Sequence, residues 1–306
     1  MSAKIPPFLK LGDKVGICCT ARFVTPELIR PCIETLQAWG VVPVLGENIY
    51  QQQYQFAGND FERAIDLQSF LDNPEIKAIV MGKGGYGSVR IIDSLDFTAF
   101  NSSPKWLCGF SDITVVHSHI HAQFGIATLH SPMAVSFQPG NALPEALASF
   151  KDFLFGKWPD FTFENTFSTP NRLGYGQGQI VGGNLSLLYA LSGSASDMDL
   201  KGKILFLEDI DEYVYHIDRM MWQVKRSGKL SHLAGLVIGG FTDMKDNASP
   251  FGMDAQTIIS EAVKEYAYPV AFGLPVGHIP NNYPLPLGVE AKLTVGEKSS
   301  NLVYMD

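Results

Sequence analysis

Between Lys14 and Pro132 short apolar runs take turns with amphipathic segments, and this alternation constrains the fold more than any other feature of the chain. "KVGICCTA" (14–21), "VVPVL" (41–45), "AIVMGKGG" (78–85), "WLCGF" (106–110) and "ATLHSP" (127–132) read as strands. The first helix, "TPELIRPCIETLQAWG", has Thr25 as N-cap, Pro26 at its first position and Gly40 as its stop. The next, "NDFERAIDLQSFLDN", is capped by Asn59 or Asp60, and further helices are expected over "YGSVRIIDSL" and "DITVVHSHIHAQF". Apolar strands separated by helices predict a parallel sheet covered on both faces, an α/β fold. In such sheets functional groups collect at the carboxyl ends of the strands.

From about 139 to 184 the chain thickens in Pro, Gly and Asn, as in "TPNRLGYGQGQIVGGN". A second pattern follows: "KILFLEDI" (203–210), a helix over "HIDRMMWQVKRSG", "LAGLVIGGF" (233–241), a helix near 253–265, "PVAFGLPVG" (269–277) and a hairpin around Gly296 to Ser300. The expected division is an N-terminal α/β domain over 1–160, a linker over 161–174, and a smaller C-terminal α+β domain over 175–306. The 306 residues suit two cores.

With 46% hydrophobic and 18% charged residues the chain is a folded protein rather than a disordered one. A net charge of −8 gives no support for nucleic-acid binding. No run reaches the ~20 apolar residues of a membrane span, and the N-terminus has nothing like a signal peptide's apolar core, so a cytoplasmic location is expected. Cys18, Cys19, Cys32 and Cys108 form no CxxC pair and read as buried small hydrophobes, the two neighbours facing opposite sides of a strand.

Three places carry candidate chemistry. Ser111, in "CGFSDITVVH", follows a strand and precedes a helix, the setting in which a serine stands above a sheet beside free backbone N–H groups. The G-x-S-x-G spelling is not met, since Ile113 takes the last position, and the competing reading is that Ser111 or Asp112 caps the helix. His117 and His121 share a helical face at a metal-compatible spacing. With no acidic residue between them and His119 pointing elsewhere, they read as packed helix histidines rather than ligands. The loop "GKGGYGS" (82–88) fits neither phosphate-binding spelling. A main-chain N–H of Gly84 or Gly85 can instead pair with that of Asp112 as an oxyanion hole, or the glycines serve only a tight turn. A serine nucleophile needs a base and an orienting acid. "LFLEDIDE" offers Glu208 or Asp209, of which one can face a given site, and "LPVGHIPNNYPLPLG" offers His278 in a stiff loop.

These segments resemble the LD-carboxypeptidase family of serine peptidases over nearly the whole chain. The matching pieces are "LKLGDKVGI", "GKGGYGSVRIIDSLD", "GFSDITVVH", "TLHSPM", "GGNLSLL", "ILFLEDIDEYVYHIDRMM" and "GLPVGHIPNNYPLPLG", in that order. Lys83 and "CCTAR" depart from the family pattern, outside the reactive positions. The resemblance implies Ser111 as nucleophile, Glu208 as acid, His278 as base and an oxyanion hole from the N–H groups of Gly85 and Asp112. It also implies a two-domain fold with the site between the domains, commonly as a homodimer, and no metal or cofactor. The implied reaction releases terminal D-alanine from murein tetrapeptides. Arg219, Arg90 and Arg22 are candidates for the substrate's terminal carboxylate. The rival substrate is a microcin C-type peptidyl- or aminoacyl-adenylate analogue, cleaved by related immunity proteins. The rival class is a non-catalytic two-domain ligand-binding protein.

Overall fold

The computed structural model describes residues 3–165 and 171–305; part of the expected linker, 166–170, lies outside the described residues. The strands of the first half are β1 (Lys14–Cys18), β2 (Val42–Leu45), β3 (Ile76–Met81), β4 (Trp106–Gly109) and β5 (Thr128–His130). Those of the second are β6 (Asp160–Glu164), β7 (Gly174–Asn184), β8 (Ile204–Ile210), β9 (Gly235–Thr242), β10 (Val270–Phe272), β11 (Leu285–Leu287), β12 (Glu290–Val295) and β13 (Ser299–Tyr304). The helices are α1 (Pro26–Ala38), α2 (Asp60–Asp72), α3 (Thr98–Ser102), α4 (Thr114–Phe124), α5 (Pro144–Leu154), α6 (Leu185–Ala190), α7 (Val214–Arg226) and α8 (Ala255–Ala262).

The expected parallel sheet is present, in the order β11-β5-β4-β3-β1-β2, with β11 alone antiparallel. Its two faces explain the alternating strands. Val15, Ile17, Val80 and Trp106 pack with Ile29 and Leu36 of α1 and with Phe150 and Phe153 of α5. Cys18, Ile79 and Leu107 pack on the other side with Leu67 of α2 and Val116 and Ile120 of α4. Cys18 and Cys19 accordingly sit in different cores. Each Leu or Ile fully buried this way contributes about 1.5–3 kcal/mol. Asn59 is the cap of α2, accepting from the N–H of Glu62 at 2.9 Å while the Glu62 carboxylate accepts from the N–H of Asn59 at 2.8 Å. Thr25 stands at the N-cap of α1 but makes no capping bond.

"YGSVRIIDSL" is not a helix. It forms two short 3-10 turns, Ser88–Arg90 and Ile92–Ser94. Gly87, at φ +153, is pressed so close to the Thr20 carbonyl that a Cβ would lie 2.8 Å from it, and the Ser88 N–H donates to Asp112 Oδ2 at 2.8 Å. Those tertiary anchors override local helix preference.

The second sheet runs β10-β9-β8-β7-β12-β13-β6, parallel from β10 to β7 and antiparallel beyond. The sequence pattern does not mark β7 as a strand because it is rich in glycine, and the structure supplies the reason. A Cβ at Gly176 would lie 2.0 Å from the Ala234 carbonyl oxygen, and one at Gly178 2.2 Å from that of Gly202. Leu205 and Leu207 of β8 face Ile217, Met220 and Met221 of α7, whereas Phe206 faces Leu285 and Leu287 of β11. That last cluster joins the two sheets, because β11 belongs to the first.

Candidate active site

Ser111 stands two residues beyond Gly109, the end of β4, and opens the turn Ser111–Ile113 into α4. Its φ of +64 is left-handed, a conformation that costs a non-glycine residue about 1–3 kcal/mol and persists only where the surroundings impose it. The surroundings do so. A Cβ on Gly109 would come within 3.0 Å of Ile113 and 3.1 Å of Met81, so the strand end is packed tightly. The glycine loop passes over the serine: a Cβ on Gly84 would lie 3.0 Å from Ser111 Cβ and 3.1 Å from its Oγ. Asp112, buried, fixes that loop by accepting from the Ser88 N–H, while burial pushes its carboxyl up against the opposing hydrogen bonds of Ser88. Gly85, at φ +116, lies under the side chain of Arg22, whose Cγ and Cδ occupy positions 2.6 Å from where a Cβ would stand. Gly85 and Asp112, the two expected oxyanion donors, thus belong to the two segments that meet at Ser111.

A second corner lies at the carboxyl end of β8. Glu208 is wholly buried, and its Oε2 accepts from His278 Nδ1–H at 2.6 Å and from the His278 backbone N–H at 3.3 Å. Asp209 turns the other way, accepting from Asn184 Nδ2 at 3.0 Å and from the Ser186 N–H at 2.8 Å. Burial and the neighbouring Glu208 push its carboxyl up to about 7. Gly277 is required beside His278 because a Cβ there would lie 2.9 Å from Glu208 Cβ and 3.0 Å from its Oε2. Asn282 accepts from the Gly277 N–H at 2.8 Å, and Thr242 Oγ1 donates to the His278 carbonyl at 3.0 Å, so the loop is tied on both sides of the imidazole. Burial by itself lowers the His278 pKa, but the charge and hydrogen bond of Glu208 outweigh it and hold the group above its ordinary value.

The two corners adjoin. The ring of Phe110, the residue before Ser111, stands 4.8 Å from the imidazole of His278 between centroids. Thr114 Oγ1, at the start of α4, accepts from the Asn184 N–H at 3.1 Å, joining the helix that follows Ser111 to the end of β7. The three histidines of α4 are fastenings. His117 Nε2–H donates to the Gly109 carbonyl at 2.9 Å, His119 pairs with Ser196 Oγ at 3.0 Å, and His121 Nε2 accepts from Lys203. Among the described residues no group of three or more His, Cys, Asp or Glu side chains is disposed to hold a metal, and no helix is long and apolar enough to cross a membrane.

Of the three arginines, Arg90 is paired with Asp60 at 2.7 Å and Arg219 lies 5.2 Å over the Tyr215 ring; Arg22 is the one against the glycine loop. Sequence reasoning overlooked Phe110, Asn184 and Asn282. Asn184 ends β7 in "GGN" and caps α6, and Asn282 lies in the Pro-rich loop "PNNYP", positions where an Asn side chain commonly organises backbone.

Comparison with known proteins agrees with this architecture. The profile of the LD-carboxypeptidase N-terminal domain matches residues 15–131, and that of the LD-carboxypeptidase C-terminal domain matches 177–293. A probable murein peptide carboxypeptidase of Bacillus subtilis is 33% identical over 96% of this chain and 93% of its own. The crystal structure of a muramoyltetrapeptide carboxypeptidase from Oxalobacter formigenes superposes with a TM-score of 0.85 at 28% identity, covering 96% of this chain and 99% of that one. The microcin C7 self-immunity protein MccF of Escherichia coli is 25% identical over 96% of this chain and 94% of its own.

Proposed function

Since the chain belongs to the LD-carboxypeptidase family, we propose that it hydrolyses the amide between the L-centre of a diamino acid and a terminal D-alanine in murein tetrapeptides. In this reading Ser111 is the nucleophile, His278 the base and Glu208 the acid that orients it. The observation that carries it is the 2.6 Å bond from His278 Nδ1–H to a wholly buried Glu208, beside a serine held at positive φ. With Nδ1 committed to Glu208, Nε2 is the nitrogen free to take the Ser111 proton.

Attack by Ser111 Oγ on the scissile carbonyl forms the C–O bond and moves the hydroxyl proton to His278. The oxyanion rests on the N–H groups of Gly85 and Asp112, each worth roughly 10²–10³ in rate. Collapse breaks the C–N bond, and His278 returns the proton to the departing D-alanine nitrogen. Water then attacks the acyl-enzyme, giving a proton to His278 and restoring the Ser111 hydroxyl. Burial of Glu208 matters because the imidazolium formed twice per cycle is stabilised by a charge that water does not screen. Arg22, over the oxyanion glycine, is the receptor for the substrate's terminal carboxylate; Arg90 and Arg219 already have partners. Residues 1–160 supply the nucleophile and 175–306 the acid and base, in a cytoplasmic homodimer.

One observation favours a second substrate. Tyr213 and Tyr215 are exposed, their rings 5.6 Å apart, a few residues beyond Glu208, and offer a surface on which a nucleobase can stack. Hydrolysis of an aminoacyl-adenylate analogue would use the same three residues. Incubation with murein tetrapeptides ending in D-Ala or L-Ala, and with an aminoacyl sulfamoyl adenosine, separates the readings. Release of D-alanine alone is expected; cleavage of the nucleotide analogue alone would replace the murein assignment. Absence of any serine-directed phosphonate adduct on Ser111, with turnover of neither substrate, would leave a ligand-binding protein.

A further inference from the structure

Phe110 stands between two histidines. Its ring centroid is 4.8 Å from that of His278, tilted by 56°, and 5.6 Å from that of His130, tilted by 52°. His130, wholly buried at the end of β5, is in turn 5.2 Å from Phe206 at 90°, edge to face. Phe206 lies two residues before Glu208 on β8, so both side chains leave the same face of the strand. The contacts therefore close on themselves: Glu208 holds His278, His278 meets Phe110, Phe110 meets His130, His130 meets Phe206, and β8 returns to Glu208.

We propose that Phe110 is a positioning residue for His278, its ring fixing the imidazole plane that Glu208 alone leaves free, with His130 and Phe206 as its backing. This rests on the assignment of Ser111, Glu208 and His278 argued above. Glu208 Oε2 receives both the backbone N–H and Nδ1–H of His278, which anchors one edge of the ring. Rotation about the Cβ–Cγ bond of histidine is broad, so an edge anchor does not by itself aim Nε2. A ring packed against the imidazole at 4.8 Å and tilted by 56° restricts that rotation. The same ring also lies close to the positive charge that His278 acquires during turnover, within the range over which an aromatic ring attracts a cation. His130 suits the backing position because it is wholly buried and its ring meets Phe110 on one side and Phe206 on the other. Burial also holds it far below its ordinary pKa, so it adds no charge opposing that on His278. Phe110 immediately precedes Ser111, so one stretch of backbone sets both the hydroxyl and the ring that aims its base.

The test uses the whole protein with Leu or Tyr at position 110. It follows D-alanine release from tetrapeptide and the rate at which a fluorophosphonate inactivates Ser111. Phe110→Leu keeps apolar volume but loses the ring face, and is expected to lower kcat and the inactivation rate by about 10- to 100-fold. KM should stay within about twofold and the melting temperature should not move, while Phe110→Tyr restores most of the rate. In the proton spectrum the far-downfield His278 Nδ1–H resonance should broaden in the Leu variant and return in Tyr. Inactivation of Phe110→Leu within about twofold of the parent rate would overturn the inference. If the Leu variant does not fold, Phe110→Met gives the same comparison. A parent protein that reacts with the fluorophosphonate but releases no D-alanine removes the murein substrate only, and the inactivation rates still decide on Phe110. A parent protein that does not react removes both.

Discussion

The corner that carries Ser111 and the corner that carries Glu208 both lie at carboxyl ends of parallel strands, yet they are held by different forces. At Ser111 the backbone does the holding: a φ of +64, a glycine at 109 where a methyl group would crowd Ile113 and Met81, and Gly84 laid across the side chain. At Glu208 charge does it: a buried carboxylate, an imidazole bound at 2.6 Å, and a second carboxylate, Asp209, turned aside onto Asn184 and Ser186. Backbone geometry places an atom without responding to pH. A buried ion pair also sets a proton affinity and changes with it. In the proposed reaction the first corner supplies position and the second supplies basicity.

The largest effect that tests this contrast comes from Ser111. Turnover in Ser111→Ala and Ser111→Gly is expected to fall about 10⁴–10⁶-fold alike, measured as D-alanine release. Their stabilities should differ. Alanine keeps the strained φ and glycine relieves it, so thermal unfolding should show the Gly variant more stable by about 1 kcal/mol. Equal stability would mean that the serine corner is not strained.

Glu208 tests the other half. Glu208→Gln is expected to reduce kcat about 10²–10⁴-fold while leaving the stability difference at residue 111 untouched. In the parent protein kcat/KM should rise with pH as His278 loses its proton, with a midpoint above 6.5, since Glu208 outweighs burial there. Without the Glu208 charge the dominant remaining influence is burial, which disfavours the imidazolium, so the midpoint moves to lower pH. Asp209→Asn should move it the same way by less, because Asp209 is the weaker neighbour. A profile unmoved by Glu208→Gln would sever the base from its acid.

The same contrast governs how much could be read from the sequence. The first sheet is legible because its central strands are buried on both faces and therefore largely apolar, and its caps use ordinary chemistry at Asn59 and Gly40. The strand Gly174–Asn184 is not, since its glycines answer to carbonyls at Ala234 and Gly202, far off in sequence. The turns after Gly87 depart from the helix their sequence predicts for the same reason: Asp112 and Thr20 set them, not local propensity. In the candidate site, Ser111, Glu208 and His278 stood out as polar residues at the ends of apolar runs. Phe110 did not, because an aromatic residue beside a strand looks the same whether it meets a core or a base. Nor did spacing choose among the arginines, which differ only in what surrounds them: Asp60 for Arg90, Tyr215 for Arg219, Gly85 for Arg22.

The smallest effect concerns the helix behind the serine. His117 and His121 are lowered to about 4 by burial, in His121 with help from the Lys203 charge. The folded state therefore leaves them neutral where the unfolded chain, with ordinary histidines near 6.5, takes up protons. Protons bind the unfolded form more readily below pH 6.5, so stability falls as the pH drops from 6.5 towards 4, by about 1 kcal/mol per histidine per pH unit. Above 6.5 neither group contributes a slope. His121→Gln, whose amide oxygen can still accept from Lys203, should remove its share of that slope and leave stability at pH 7.5 nearly unchanged, as read by urea unfolding at several pH values. A variant with the parent's full acid slope would show that His121 carries none of it. If the slope does fall, His121 carries part of the acid sensitivity of the half that holds Ser111, alongside His117 and His119 on α4 and the buried His130 of β5.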